Sequence, residues 1–366
     1  MIFFRYILLA FLMMVLHQSS AQSASEKDSD RSLWLDVDNL NFFRNNEYFT
    51  DLTRGYSLLG FHLTPTLKYR VKNKLIVRGG VHALKFAGRE RFKDIDPYFS
   101  VKYRFTPGFF MVLGTYSLRE RLPMANALFD EERIIEDYIG NGLNFKYTGT
   151  KFSGNLWLDW ENFIYRGDPF RERFTTGGVV KYSIFPQSWS WRLRLPLQMI
   201  IRHKGGQINN SDLPTTSVIN YGSGLKLHRE IQNSFIRGAG AQLMYFGYRE
   251  LSNKRVNLYE DGYAFYPKLN VRSKHGYFEA GYWHAGKFYA PLGHPMYQNI
   301  SLTDNTLGNN TSDLIIAGIT YQNKVLRGVE IKAGFDNYFE FGSGSWNYTY
   351  SLSLSFKEAF FLKSVK

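Results

Sequence analysis

Residues 346–356 alternate strictly between apolar and polar side chains. One parity consists of Trp346, Tyr348, Tyr350, Leu352, Leu354 and Phe356, and the other of Asn347, Thr349, Ser351, Ser353 and Ser355. A period of two is that of a β-strand, whose successive side chains point to opposite faces. Aromatic rings at one end of the apolar face and leucines in its middle suit contact with a lipid bilayer. A buried strand of a soluble sandwich shows the same alternation, so the rest of the chain must decide between the two.

The same alternation recurs along the chain and predicts about sixteen strands between Leu33 and Phe356, with 14–18 as the range that the pattern allows. Pro65 and Pro196 lie inside two of these strands, and each predicts a bulge because proline cannot donate a ladder hydrogen bond. Connections after even-numbered strands are short, as at residues 72–74, whereas most connections after odd-numbered strands are long, as at residues 44–55 and 119–138. Alternating lengths predict an up-and-down meander with two different ends.

With this pattern the chain resembles the bacterial outer-membrane β-barrels, and among them the porin-like barrels of about sixteen strands. The resemblance covers residues 33–356 and implies an all-β, antiparallel transmembrane barrel with short periplasmic turns and long external loops. It also implies contact with outer-membrane lipid and insertion by the barrel-assembly machinery. The terminal strand resembles the insertion signal of such barrels.

Residues 1–21 are predicted to be a cleaved signal peptide, with Arg5 before an apolar run and small residues before a cut after Ala21. The apolar run is shorter than the roughly 20 residues that a spanning helix needs. The remaining organisation is a short periplasmic segment over residues 22–32, the barrel over residues 33–356, and residues 357–366 as a tail or the end of the last strand. The chain has no cysteine, which excludes disulfides and thiolate metal sites.

The chain carries 45 Lys and Arg against 32 Asp and Glu, a net charge of +13. This charge predicts an anionic solute or lipid surface as partner, and the export signal argues against nucleic acid. Sixteen strands enclose an aqueous lumen unless loops plug it. The inward parity places these bases on its wall: Lys68, Arg70, Lys102, Arg104, Lys146, Lys181, Arg192, Arg194, Lys226, Lys268 and Arg272. They either attract anions or are paired with carboxylates across strands.

The long connection over residues 119–138 combines helix-forming residues with a run of acids. In porins the third external loop folds into the lumen and faces basic wall residues. By resemblance, the acids that would face the wall are Asp130, Glu131, Glu132, Glu136 and Asp137. The alternative is a short amphipathic helix that caps the external mouth.

These features predict a channel for small polar, anionic solutes rather than an enzyme. Eight histidines are scattered without the short His/acid spacing of a metal or nucleophile motif, so no cofactor or metal is expected. His82, His284 and His294 are the only ones that stand out. Two alternatives stay open: a non-conducting barrel that serves as scaffold in an envelope or secretion complex, and an outer-membrane enzyme. Further copies of the chain or subunits of an envelope complex are candidate partners.

Overall fold

The computed structural model describes residues 30–186, 188–232 and 234–365, in which each strand pairs with its sequence neighbours and β1 also pairs with β16. This confirms the predicted closed, antiparallel barrel of sixteen strands. The strands are β1 (Arg31–Phe49), β2 (Arg54–Val71), β3 (Leu75–Phe86), β4 (Asp94–Thr106), β5 (Phe109–Ser117), β6 (Ile139–Thr148), β7 (Phe152–Asn162), β8 (Glu172–Ser183), β9 (Trp191–Gly205), β10 (Thr216–Glu230), β11 (Ile236–Glu250), β12 (Asp261–Ser273), β13 (Gly276–Gly286), β14 (Thr311–Leu326), β15 (Val329–Glu340) and β16 (Trp346–Ser364). The predicted signal peptide lies outside the described residues.

The two faces of the wall follow the alternation of the sequence. Leu67 and Phe99 point outward and are 51% and 60% exposed, whereas their neighbours Thr66 and Ser100 point into the barrel and are buried. An apolar outer face and a polar inner face are what a membrane barrel with an occupied lumen requires. No helix in the described part of the chain is long and apolar enough to cross a membrane.

Two strand ends differ from the predicted bounds. The prediction of a long connection over residues 44–55 is wrong, because β1 runs to Phe49 and β2 starts at Arg54. The polar run Arg44, Asn45 and Asn46 reads as a loop, yet its side chains are buried. Arg44 and Asn46 face into the barrel, where Arg44 Nε donates to Asn46 Oδ1, and Asn45 on the opposite face donates to Glu47. At the other terminus, β16 continues to Ser364 and pairs with β1 along its length.

The two prolines do not produce the predicted bulges. The pairs on either side of Pro65 in β2–β3, and of Pro196 in β9–β10, keep one register. Each proline faces a residue of its other neighbour strand, Val37 and Lys181 respectively. The missing donor therefore interrupts the ladder on one side of the strand without inserting a residue.

Two connections leave the wall and fill one half of the lumen. They are residues 118–138 between β5 and β6 and residues 287–310 between β13 and β14, and together they are called the plug here. The plug contains the four-residue helix α1 (Arg133–Glu136) and the 3-10 turns Leu118–Glu120 and Pro295–Tyr297. Both connections join at the barrel end that carries the long loops, which is the external end in outer-membrane barrels.

Candidate functional site

The two halves of the plug are bonded to each other through their backbones. The amide of Asp130 donates to the Leu292 carbonyl at 2.8 Å, and the amide of His294 donates to the Asn126 carbonyl at 2.9 Å. Leu128, Phe288 and Ile300 are fully buried, in one cluster with wall side chains from β5 to β15. The external half of the lumen is therefore occupied by a packed apolar core instead of water.

Polar side chains of the barrel wall form hydrogen bonds with backbone groups of the plug. The Ala125 amide donates to Gln198 Oε1 at 2.7 Å, and Asn220 Nδ2 donates to the Tyr289 carbonyl at 2.7 Å. These bonds satisfy loop backbone groups that would otherwise be buried without partners. The inward polar residues of β9 and β10 thus serve as docking points for the plug.

The plug is also held by a buried ion pair on the first strand. Glu132 Oε2 lies 2.7 Å from Arg44 Nε, and the two side chains are only 5% and 7% exposed. Glu132 also accepts hydrogen bonds from Asn46 Nδ2 at 2.9 Å and from the Tyr56 hydroxyl. Next to it, the Tyr48 hydroxyl lies 3.1 Å from His294 Nε2, which brings a residue of the second connection to the same strand.

The five predicted loop acids have different partners. Glu131 and Glu132 face the wall bases Lys332, at 3.7 Å, and Arg44, neither of which belongs to the predicted basic set. The prediction that Asp137 faces the wall is wrong, since it pairs with Arg133 of its own loop at 2.8 Å. In the described residues Glu136 forms no ion pair with a wall base, and its backbone carbonyl accepts a hydrogen bond from Lys93 of the β3–β4 connection at 3.1 Å. Asp130 is buried, and its Oδ1 accepts the Glu132 amide at 3.0 Å.

Burial sets the ionisation of the plug residues. It raises the pKa of Asp130 to about 6, and it lowers the pKa of His294 to about 3. Lys332 is the main reason that the pKa of Glu131 lies below its ordinary value. At neutral pH the plug therefore holds neutral His294 beside ionised carboxylates that depend on wall bases.

The predicted basic residues on β2, β4 and β6 are partly satisfied by the wall and the plug. Lys68 Nζ lies 2.6 Å from Asp36 Oδ1, and the guanidinium of Arg70 lies 5.4 Å from the Trp34 ring centre. Lys102 Nζ lies 3.6 Å from the centre of the Phe110 ring, and Arg104 lies on the same face of β4. Lys146 Nζ donates to the Glu120 carbonyl at 2.8 Å. These residues line the lumen but do not converge on one point.

Four other bases do come together. Arg194 of β9 lies directly opposite Lys226 of β10, and Gln242 of β11 separates Lys226 from Lys268 of β12. Lys181 of β8 lies in the same electrostatic neighbourhood. Lys268 Nζ pairs with Glu279 at 2.7 Å.

The last two predicted bases lie at the short-turn end of the barrel. Arg192 donates to the carbonyl of Trp189 at 2.6 Å, and Arg272 lies 2.6 Å from Glu230. Both side chains therefore stabilise the short turns next to them.

A cavity of about 660 Å³ lies beneath the plug. Its lining combines apolar side chains of plug and wall, such as Met124, Phe129 and Trp157, with Lys226 and Lys268. It extends to Tyr277 and Gln322, which lie within a few residues of the short turns after β12 and β14. The cavity is thus closed by the plug on one side and reaches toward the barrel end that carries the short turns.

The outer face of the wall carries two histidine pairs that span neighbouring strands. His284 Nδ1 lies 2.8 Å from Asp313 Oδ1, and the Tyr282 hydroxyl donates to the same carboxylate. His203 Nδ1 lies 2.8 Å from Ser217 Oγ. Sequence reasoning noted His284 but missed its partner, because a separation of 29 positions exceeds any local motif and only the β13–β14 register joins them.

Both pairs face outward near the external ends of their strands. Trp283 and Leu314, the sequence neighbours of His284 and Asp313, are buried inside the barrel, so the pair lies on the lipid side. In the described residues no carboxylate lies within hydrogen-bond distance of His203. The same part of the chain holds no cluster of three or more His, Asp or Glu residues that could bind a metal ion.

The fold is similar to those of outer-membrane proteins at low sequence identity. OprD of Pseudomonas aeruginosa gives a TM-score of 0.52 at 8% identity, with 92% of this chain and 96% of OprD covered. OccAB4 of Acinetobacter baumannii gives 0.51 at 10% identity, with 92% and 100% covered. The loop L8 deletion mutant of Vibrio cholerae OmpT gives 0.50 at 10% identity, with 90% and 100% covered. The chain therefore shares the closed β-barrel fold of these outer-membrane proteins, as the resemblance predicted.

The amino-acid sequence also matches a known protein family. No curated protein matches the chain. The sequence profile described as lipid A 3′-O-deacylase-type matches residues 24–365, which is almost the whole chain. Since this family is named for an enzyme, the match contradicts the prediction that the barrel is not an enzyme. The chain belongs to the lipid A 3′-O-deacylase-type family.

Proposed function

We propose that this protein is an outer-membrane hydrolase that removes an ester-linked acyl chain from a glycolipid of the lipid A type. The family name supplies the substrate class. The observation that carries the proposal is the His284–Asp313 pair on the outer wall. It lies two residues from the external ends of β13 and β14, at the height where the ester groups of a lipid meet its headgroup.

The pair has the parts of a general base. Asp313 accepts the Nδ1–H of His284, which orients the ring and leaves Nε2 to take a proton from water. The water oxygen then attacks the ester carbonyl carbon. The carbon–oxygen ester bond breaks, and the proton on His284 passes to the leaving alkoxide, giving a fatty acid and an alcohol. Asp313 stabilises the imidazolium between these steps, as the carboxylate does in other acid–histidine pairs.

Lipid A mass spectrometry tests this proposal in a host whose lipid A keeps all its acyl chains. Expression of the wild-type protein should reduce the lipid mass by one acyl chain. His284→Ala should lower the rate roughly a hundredfold or more, the range that a lost general base produces. His275→Ala, at the opposite end of the barrel, is the matched control and should keep full activity. An active His284→Ala variant, or no acyl loss with the wild type, would overturn the proposal.

His203→Ala tests the other pair in the same assay. The Ser217–His203 pair supplies a nucleophile and a base but has no orienting carboxylate in the described residues. We therefore expect this variant to retain activity. Loss of activity in His203→Ala alone would move the site to β9 and β10.

We also propose, as a second function, that the lumen passes small anionic solutes when the plug undocks. The bases at Lys181, Arg194 and Lys226 support anion preference, and the Glu132–Arg44 pair supports a closed resting state. Removing one partner of a buried ion pair costs about 3–5 kcal/mol. Glu132→Gln should therefore raise conductance in a planar bilayer, with reversal potentials that show anion preference.

Asp137→Asn is the control for this experiment. It breaks an exposed pair in the same loop, worth about 0–1 kcal/mol at most, so its conductance should match that of the wild type. Cation preference in Glu132→Gln, or conductance that stays at the wild-type level, would contradict the second proposal.

A further inference from the structure

We propose that the cavity beneath the plug binds a small phosphorylated molecule that carries an apolar group and enters from the periplasmic end. This site lies inside the barrel, whereas His284 lies on the outer wall, so the two proposals are independent. Arg194 and Lys226 occupy directly opposed positions on neighbouring strands, and Lys268 lies two strands beyond Lys226 in the same row.

Like charges placed opposite each other destabilise a sheet. The wall offers little compensation here: in the described residues no carboxylate lies within 4.0 Å of the charged groups of Lys181, Arg194 or Lys226. Glu279 is nearby but is already paired with Lys268 at 2.7 Å. A ligand with two negative charges would remove the repulsion and accept several charge-assisted hydrogen bonds.

The other side chains that line the cavity indicate the chemistry of the uncharged part of the ligand. Met124 and Phe129 from the plug, and Trp157, Met244 and Phe246 from the wall, line the same space as Lys226. A volume of about 660 Å³ falls within the range of small-molecule sites. Lys226 is the member of the opposed Arg194–Lys226 pair that lines the cavity. An apolar group directed toward the plug, with its phosphate held by Lys226, matches this division of the surface.

The direction of entry follows from the plug. Leu128 and Ile300 belong to its fully buried core, so the external side is closed. Tyr277 and Gln322, which also line the cavity, lie next to the short turns. A soluble ligand therefore reaches Lys226 from the periplasm.

Phenyl phosphate is the probe for this site, with phenol and inorganic phosphate as its separated halves. Calorimetric titration of the full chain in nanodiscs should show binding of phenyl phosphate, weaker binding of phosphate and none of phenol. Lys226→Met should weaken binding roughly tenfold or more, since hydrogen bonds to charged groups are the strong ones. Lys254→Met, in an exposed external loop, should bind as the wild type does.

Thermal unfolding gives a second measurement. Because Lys226→Met relieves repulsion, its ligand-free midpoint should be higher than that of the wild type, and phenyl phosphate should no longer raise it. Lys226→Gln should show the same two effects and replaces Lys226→Met if that variant does not fold. Equal affinity in wild type and variants, equal binding of phenol, or no binding to the wild type at millimolar concentration would overturn the proposal.

Discussion

Asp130 and His294 show how single side chains in the plug acquire their properties from distant parts of the chain. Both are buried where the two connections meet, although 164 positions separate them in the sequence. Sequence reasoning selected Asp130 from its helical, acidic surroundings and noted His294 without a partner. It did not find Arg44 or Tyr48, because alternation gives the face of a residue but not which strand lies across the lumen. The structure was therefore needed to show which side chains meet inside the barrel.

Their pKa values predict opposite pH effects on docking of the plug. Burial raises the pKa of Asp130 from 3.8 to about 6, so the docked plug binds more protons than the undocked one in this window and docking weakens as pH rises through it. Burial lowers the pKa of His294 from 6.5 to about 3, so its contribution weakens docking as pH falls through that window. In the wild type the two effects partly cancel between pH 4 and 6.

Asp130→Asn should remove the pH effect of Asp130 on docking and leave that of His294. When pH falls from 7.5 to 4.5, the variant should lose more hydrogen-exchange protection in residues 118–138 than the wild type does, after correction for intrinsic exchange rates. Asp137→Asn, whose carboxylate is exposed, should follow the wild type. An identical pH response in Asp130→Asn and wild type would show that Asp130 does not titrate in this range.

At the scale of the strand, most of the structure was predictable because the alternation is a direct consequence of backbone geometry. All sixteen strands were found, and the inward and outward faces of β2, β4, β9 and β16 agree with the parity. The two failures have different causes. The end of β1 was read as a loop because its polar residues meet the plug, which no local pattern reveals. The prolines were assigned bulges, whereas each only leaves its partner unpaired on one side.

The parity makes a prediction for β16. Leu352 is 53% exposed on the outer wall, so Leu352→Arg places a charge in lipid at a cost of roughly 2–4 kcal/mol near the midplane. Its neighbour Ser353 faces the lumen, where Ser353→Arg meets water and should be tolerated. Heat-modifiable migration on gels reports the folded fraction, which should fall for the first variant only. Equal damage from both would contradict a one-sided lipid face.

For the whole molecule, the difference between the two ends determines what each part can do. The plug and the His284–Asp313 pair lie toward the end with long connections, and the basic cavity lies toward the end with short turns. The enzyme proposal requires the end with long connections to lie at the outer leaflet. The binding proposal requires the end with short turns to face the periplasm. Loop lengths predicted this orientation. The resemblance to porins offered inward folding of residues 119–138 as one of two alternatives, whereas the inward folding of residues 287–310 was not predicted, since it depends on apolar contacts across the barrel.

Cysteine labelling measures the orientation directly, since the natural chain has no cysteine and each variant carries a single thiol. Asn210→Cys lies in the exposed connection between β9 and β10, and Asn73→Cys lies in the turn between β2 and β3. A membrane-impermeant maleimide should label Asn210→Cys on intact cells and should label Asn73→Cys only after the outer membrane is opened. Both sites are exposed at the surface of the barrel, so a difference between them reports sidedness and not burial. Labelling of Asn73→Cys on intact cells would invert the barrel, and it would place the basic cavity toward the medium and His284 at the periplasmic leaflet.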